Sequence, residues 1–209
     1  MTQHQEQLEA LQEIRSLMER SSRFTSLSGF SGIVVGLLAL VGLGVVYGIL
    51  NQQHVSYSAV CQGQLPAATG QLLMLTALAT LVLALGSVVF FSWLKAQKAG
   101  QSIWQEPGQR VFGNLFIPLS AGGVFCGVLL YHQIPYLVAP AMLIFYGLAL
   151  INSSKYTFID IHYLGLGQIA LGLLASFQVE YGLLAWGAGF GGLNILYGTL
   201  MYDKYEKDR

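Results

Sequence analysis

Seven residues in this chain stand out as places where chemistry could be done: four uncharged polar side chains set in apolar sequence, one serine between glycines, and two cysteines. Ser87, Tyr146, Gln168 and Asn194 each interrupt a long apolar run. Counted at about 1.5 Å per helical residue from the polar ends of their runs at Lys95, Lys155, Ile159 and Asp203, they fall at one depth. Amides and hydroxyls at one level either hydrogen-bond neighbouring helices together or line a small polar cavity. Gly29, Phe30, Ser31 and Gly32 match the spelling of an intramembrane serine-protease motif, and a serine nucleophile needs a base within hydrogen-bond reach. The one candidate base near the same membrane face is His162, beside Asp160 at the entry of a much later run, whereas Ser31 opens the first. Hydrolysis is therefore set aside, and no catalytic residue is assigned.

Cys61 and Cys126 have neither the density of a disulfide scaffold nor the spacing of a zinc site. Two readings stand. A bridge would require their Cα atoms within about 7 Å, with the uncharged loop from Asn51 to Gly70 folded back as a lid. Otherwise Cys61 is a free loop thiol and Cys126 a small packing residue beside Gly123 and Gly127. No cluster of cysteine, histidine and carboxylate marks a metal or cofactor site. No Asp, Glu, Lys or Arg lies in the middle of an apolar run, which counts against an ion-driven carrier.

The elements that must position these residues are set by composition. The 209 residues are 54% hydrophobic and 10% charged, against roughly 25% charged in soluble domains. Six apolar runs follow one another, about 27–50, 71–94, 111–131, 136–152, 161–177 and 181–202. The first alone is long enough as a helix to cross a hydrocarbon layer roughly 30 Å thick. Before it, Leu8, Leu11, Ile14, Leu17 and Met18 recur at helical spacing over residues 3–23, predicting an amphipathic helix. Ser26 or Ser28 is available to cap the helix that follows. No cleavable leader is visible in the polar, mixed-charge residues 1–23.

All 10 Lys and Arg residues fall on one side of this six-run layout: Arg15, Arg20 and Arg23; Lys95, Lys98 and Arg110; Lys155; and Lys204, Lys207 and Arg209. Cytoplasmic segments retain basic residues, so both termini are expected in the cytoplasm. The opposite loops carry Glu180 alone. Nucleic acid is not an expected partner, because no segment supplies a basic reading face.

Glycine accounts for 25 residues. The four-apart pairs Gly32/Gly36, Gly44/Gly48, Gly123/Gly127 and Gly187/Gly191 predict close helix packing, within the bundle or between copies. Ile144-Phe145-Tyr146-Gly147 before Lys155-Tyr156, and Ile195-Leu196-Tyr197-Gly198 before Lys204-Tyr205, form a weak internal repeat consistent with duplicated hairpins.

The block Ile14, Arg15, Met18, Glu19, Arg20, Ser21, Ser22, Arg23, Phe24, Ser26, Leu27, Ser28, Gly29, Ser31 and Gly32 resembles the entry segment of small, uncharacterised polytopic membrane proteins of Bacteroidetes-type bacteria. The similarity is most specific over residues 13–36 and elsewhere extends only to the layout of spans. It implies a bacterial inner-membrane protein and carries no activity, so it assigns no functional residue.

The resulting expectation is an all-α integral membrane protein. Residues 1–26 form a cytoplasmic amphipathic helix and hinge, 27–202 six transmembrane helices arranged as three hairpins, and 203–209 a cytoplasmic tail. Membrane lipid is the expected surroundings. The expected role is non-enzymatic, as a homo-oligomeric scaffold or accessory subunit of a membrane complex. The alternatives are a small channel or transporter for an uncharged or lipid-like ligand, and a membrane sensor that signals through its N-terminal helix.

Overall fold

The structure, a computed structural model, describes residues 29–62, 66–98 and 106–205. The expected N-terminal amphipathic helix, the serine caps and the last residues of the tail lie outside them. Among the described residues every regular element is helical. In chain order these are α1 (Gly29–Gln52), α2 (Tyr57–Cys61), α3 (Ala67–Lys98), α4 (Glu106–Tyr131), α5 (Val138–Ser154), α6 (Ile159–Phe177), α7 (Gly182–Trp186) and α8 (Asn194–Tyr205). Single 3-10 turns, Pro135–Leu137 and Val179–Tyr181, lead into α5 and α7. Five helical stretches are long and apolar enough to cross a membrane: Gly29–Gln52, Ala67–Lys95, Gly108–Tyr131, Pro135–Ser154 and Ile159–Phe177. The run expected at 181–202 is helical throughout, but a π-helical segment, Gly187–Leu193, separates α7 from α8. Glycine is among the poorest α-helix formers, and four of those seven residues are glycine.

Helices α1 and α4 end alike. Val55 N–H reaches back to the Leu50 carbonyl at 2.9 Å, and Ile134 N–H to Leu129 at 2.8 Å. Between each pair of ends stands a non-glycine residue with positive φ, His54 at 53° and Gln133 at 58°. This is the Schellman arrangement, which satisfies carbonyls left over at a helix end. It turns the chain back at once toward α2 in one case and α5 in the other.

The helices pack as a row. Helix α4 lies on α5, α5 on α6, α6 on the stretch from α7 to α8, that stretch on α1, and α1 on α3. The most extensive seam, α5 against α6, joins two of the expected hairpins rather than lying within one. Its closeness comes from a glycine on each side: a methyl group on Gly147 would lie 2.6 Å from the Gly165 carbonyl oxygen, and one on Gly165 would lie 2.7 Å from that of Gly147. Leu150, Ile161, Leu164 and Met201 form the core cluster near the Lys155 end. Helix α3 is the outlier, with none of its most apolar window buried. It is held to α1 by Thr80 against Gly42 and by the edge-on ring pair Phe30–Phe91 at 5.1 Å.

Candidate functional site

Three of the four side chains expected at one depth meet where α5, α6 and the π segment come together. Tyr146 projects from the middle of α5, Gln168 from α6, and Asn194 opens α8. The Tyr146 hydroxyl donates to Asn194 Oδ1 at 3.0 Å. Asn194 Nδ2 donates in turn to the carbonyls of Phe190 at 3.0 Å and Gly189 at 3.4 Å. Gln168 Nε2 donates to the same Gly189 carbonyl at 2.9 Å. Gln168 and Asn194 thus converge on one backbone oxygen of the π segment rather than on each other. A side chain at 189 would press on the ends of Leu143 and the Gln168 amide, so those two side chains would have to shift.

Aromatic rings close one side of this centre. Phe190 stacks on Tyr146 with centroids 4.9 Å apart and meets Trp186 at 5.0 Å. Gln168 is wholly buried and Asn194 is 3% exposed. Burying polar groups away from water is tolerated when they are hydrogen-bonded, and most atoms here are. The exception is Gln168 Oε1, buried with no partner. The three side chains offer hydrogen bonds but no carboxylate, imidazole or thiol. What the geometry shows of their chemistry is hydrogen bonding between helices.

Ser87 stands apart. It lies on α3, which packs principally on α1, and its hydroxyl donates to Ala84 O in its own helix at 2.8 Å. Equal depth did not mean the same side of the bundle. His162 lies 3.5 Å from Ser154, whose hydroxyl also donates to Ile151 O. Beside it Asp160 pairs with Lys204 at 3.2 Å, tying the start of α6 to the end of α8. An exposed pair of this kind contributes about 0–1 kcal/mol.

The eight glycines expected to pack divide into two sets. Gly32 and Gly36 meet the backbone of Gly198 and Gly191, and Gly187 and Gly191 receive Leu43 and Leu40 of α1. Gly44, Gly48, Gly123 and Gly127 face open space. Both cysteines are free thiols. Cys126 points at Val138 O on α5 and Cys61 at Val179 O, 3.9 Å away. Of the Asn51 to Gly70 loop, the described residues 51–62 fold back: α2 lies against both 3-10 turns, and the Tyr57 hydroxyl sits over Gly182, 2.9 Å from where a methyl would be. Burial, reinforced by the nearby Cys61 thiol, pushes the Tyr57 hydroxyl pKa up. The Cys61 thiol is pushed up as well, by burial first and by the Glu180 carboxylate last.

Fold and centre together define the class. Among the described residues the chain is all-helical, with long apolar helices compatible with a membrane location, built round a neutral polar centre. Compared with known proteins, the chain matches no family model, no curated protein and no solved structure.

Proposed function

We propose that the protein is a six-span protein of the bacterial inner membrane that acts without catalysis, as a homo-oligomeric scaffold or an accessory subunit of a membrane complex. The observation that carries this reading is the open pair Gly123/Gly127 on α4, where a side chain would meet nothing within 4 Å. In lipid, helices associate through small residues that let backbones approach. Helix α4 ends the row of helices, so this pair is presented outward. The 182–205 run supplies the sixth span, its hydrogen bonding continued through the π segment. Replacing Gly127 by Leu is expected to dissociate the purified oligomer, read by light scattering in detergent, while the helical content read by circular dichroism is kept. A wild-type protein that is monomeric, or a variant as large as wild type, overturns the reading.

Both termini face the cytoplasm in this proposal, on the strength of the one-sided Lys and Arg distribution. A reporter fused after Arg209 is expected to be active only in a cytoplasmic assay, and one inserted near Gln62 only in a periplasmic assay. A periplasmic C-terminus would exclude six spans. One observation favours the channel or transporter reading instead: the unpartnered Gln168 oxygen in the middle of the bundle. Density for a continuous pore through that level would establish it.

A further inference from the structure

Helix α4 carries Pro118 in its interior. Proline has no N–H, and its ring crowds the carbonyl four residues earlier, so the Asn114 carbonyl loses the donor that a regular helix would give it. Prolines are among the points at which long helices kink. Inside a bilayer a carbonyl freed in this way has to be satisfied by a side chain or a neighbouring helix. Here the donor crosses from α5: Asn152 Nδ2 donates to Asn114 O at 3.1 Å. Both residues lie within stretches long and apolar enough to span, Gly108–Tyr131 and Pro135–Ser154. The Asn114 amide is occupied elsewhere, donating to Arg110 O at 2.7 Å.

On the other side of the proline α4 is fastened to the same neighbour. Gly122 lies so close to α5 that a methyl there would stand 2.5 Å from the Phe145 Cβ, and the Phe125 and Phe145 rings meet with centroids 5.6 Å apart. Asn114, Pro118 and Gly122 follow one another at intervals of four and so share one helix face, the face turned to α5. The two fastenings differ in kind. Ring and glycine packing is non-directional, whereas the Asn152 bond fixes the position of one carbonyl beside the proline. We propose that Asn152 is a positioning residue that acts as a latch across Pro118, supplying from α5 the hydrogen bond that the proline deletes and so holding the two halves of α4 in one relative direction. Gly123 and Gly127 lie beyond the proline on the helix that ends the row, so the latch also sets the angle at which that open pair is presented. This last consequence rests on the oligomer reading; the latch itself does not.

The experiment is a double-mutant cycle on the full-length protein, with thermal unfolding midpoints read in one detergent for wild type, Asn152→Leu, Pro118→Ala and the double variant. Asn152→Leu removes the donor at similar volume and lowers the midpoint by about 3 °C, the shift that one lost hydrogen bond produces in a chain of this size. Pro118→Ala gives Asn114 O a main-chain donor again. In that background Asn152→Leu therefore shifts the midpoint little. Asn152→Ala, run in both backgrounds, repeats the pattern without depending on how leucine fits, since its loss of packing is common to the two. An asparagine that merely packs against α4 would give equal shifts with and without the proline. Equal shifts, or no shift from Asn152→Leu in the chain that keeps Pro118, overturn the proposal. Light scattering on the same four proteins reads the consequence separately: Asn152→Leu reduces the oligomer and the double variant restores it. Coupled midpoints with unchanged oligomer size keep the latch and overturn its bearing on Gly123 and Gly127, whereas a monomeric wild type overturns the oligomer reading alone.

Discussion

Alanine at Gly147 lowers the thermal unfolding midpoint of the purified protein, whereas alanine at Gly44 leaves it unchanged or raises it. In an exposed helix interior, Gly to Ala is favourable by about 1 kcal/mol, and Gly44 has nothing within 4 Å to oppose that gain. At Gly147 the added carbon would lie 2.6 Å from Gly165 O, 2.7 Å from an Ile169 side-chain atom and 3.0 Å from the Ile169 nitrogen. Two of these three neighbours are backbone and cannot turn away. The α5–α6 seam must open along its length, and overpacking of this kind costs about 1–3 kcal/mol. Gly165→Ala meets the mirror image of the same contact and has the same sign. Midpoints for the three variants in one detergent check this; a rise at Gly147 would mean that the seam is looser than its geometry.

The second large effect separates the members of the polar centre. Asn194→Leu strips the Tyr146 hydroxyl of its acceptor and withdraws donors from the Phe190 and Gly189 carbonyls. A buried group left unsatisfied costs about 1–3 kcal/mol, and hydrogen bonds between helices in membranes average about 0.6 kcal/mol. The expected loss is about 2 kcal/mol. Gln168→Leu removes one bond to Gly189 O, which keeps its Asn194 donor, and also removes the unpartnered oxygen. Its net effect is near zero. Tyr146→Phe falls between, and a Tyr146/Asn194 double-mutant cycle should show coupling. Unfolding measured on all four proteins tests the order. If Gln168→Leu proved the most costly, its buried oxygen would have to hold a partner of its own.

The level at which Tyr146, Gln168 and Asn194 meet was legible in the sequence because helical rise is constant and charged residues mark the ends of the runs. The direction in which each side chain points was not. Depth is one coordinate, and the second depends on which helices become neighbours; Ser87, at the same depth, therefore ended on a helix packed against α1. The four-apart glycine rule met a similar limit. It identifies a face on which backbones can approach but not the helix that approaches it, so it was fulfilled within the chain at Gly36 and Gly191 and left open at Gly44 and Gly127. It passed over Gly147 and Gly165, which lie on two different helices and have no four-apart glycine beside them. Hydropathy drew the run at 181–202 as one element because it sums side chains and is blind to the winding of the backbone. The available clue was composition, the glycines of Gly187-Ala188-Gly189-Phe190-Gly191-Gly192.

That winding decides where everything after it faces. Each residue of an α-helix advances the direction of the chain's faces by about 100°, and a π segment absorbs a residue that a regular helix would convert into rotation. Were Gly187–Leu193 wound as an ordinary α-helix of the same length, all of α8 would swing by about that angle relative to α7, carrying Asn194 away from Tyr146 and Gly198 away from the α1 backbone it touches. Removing one glycine from the adjacent Gly191 and Gly192 would cancel that swing, because the residue lost is the one the wider turn takes up; the segment is the gauge that keeps the two halves of the row in step.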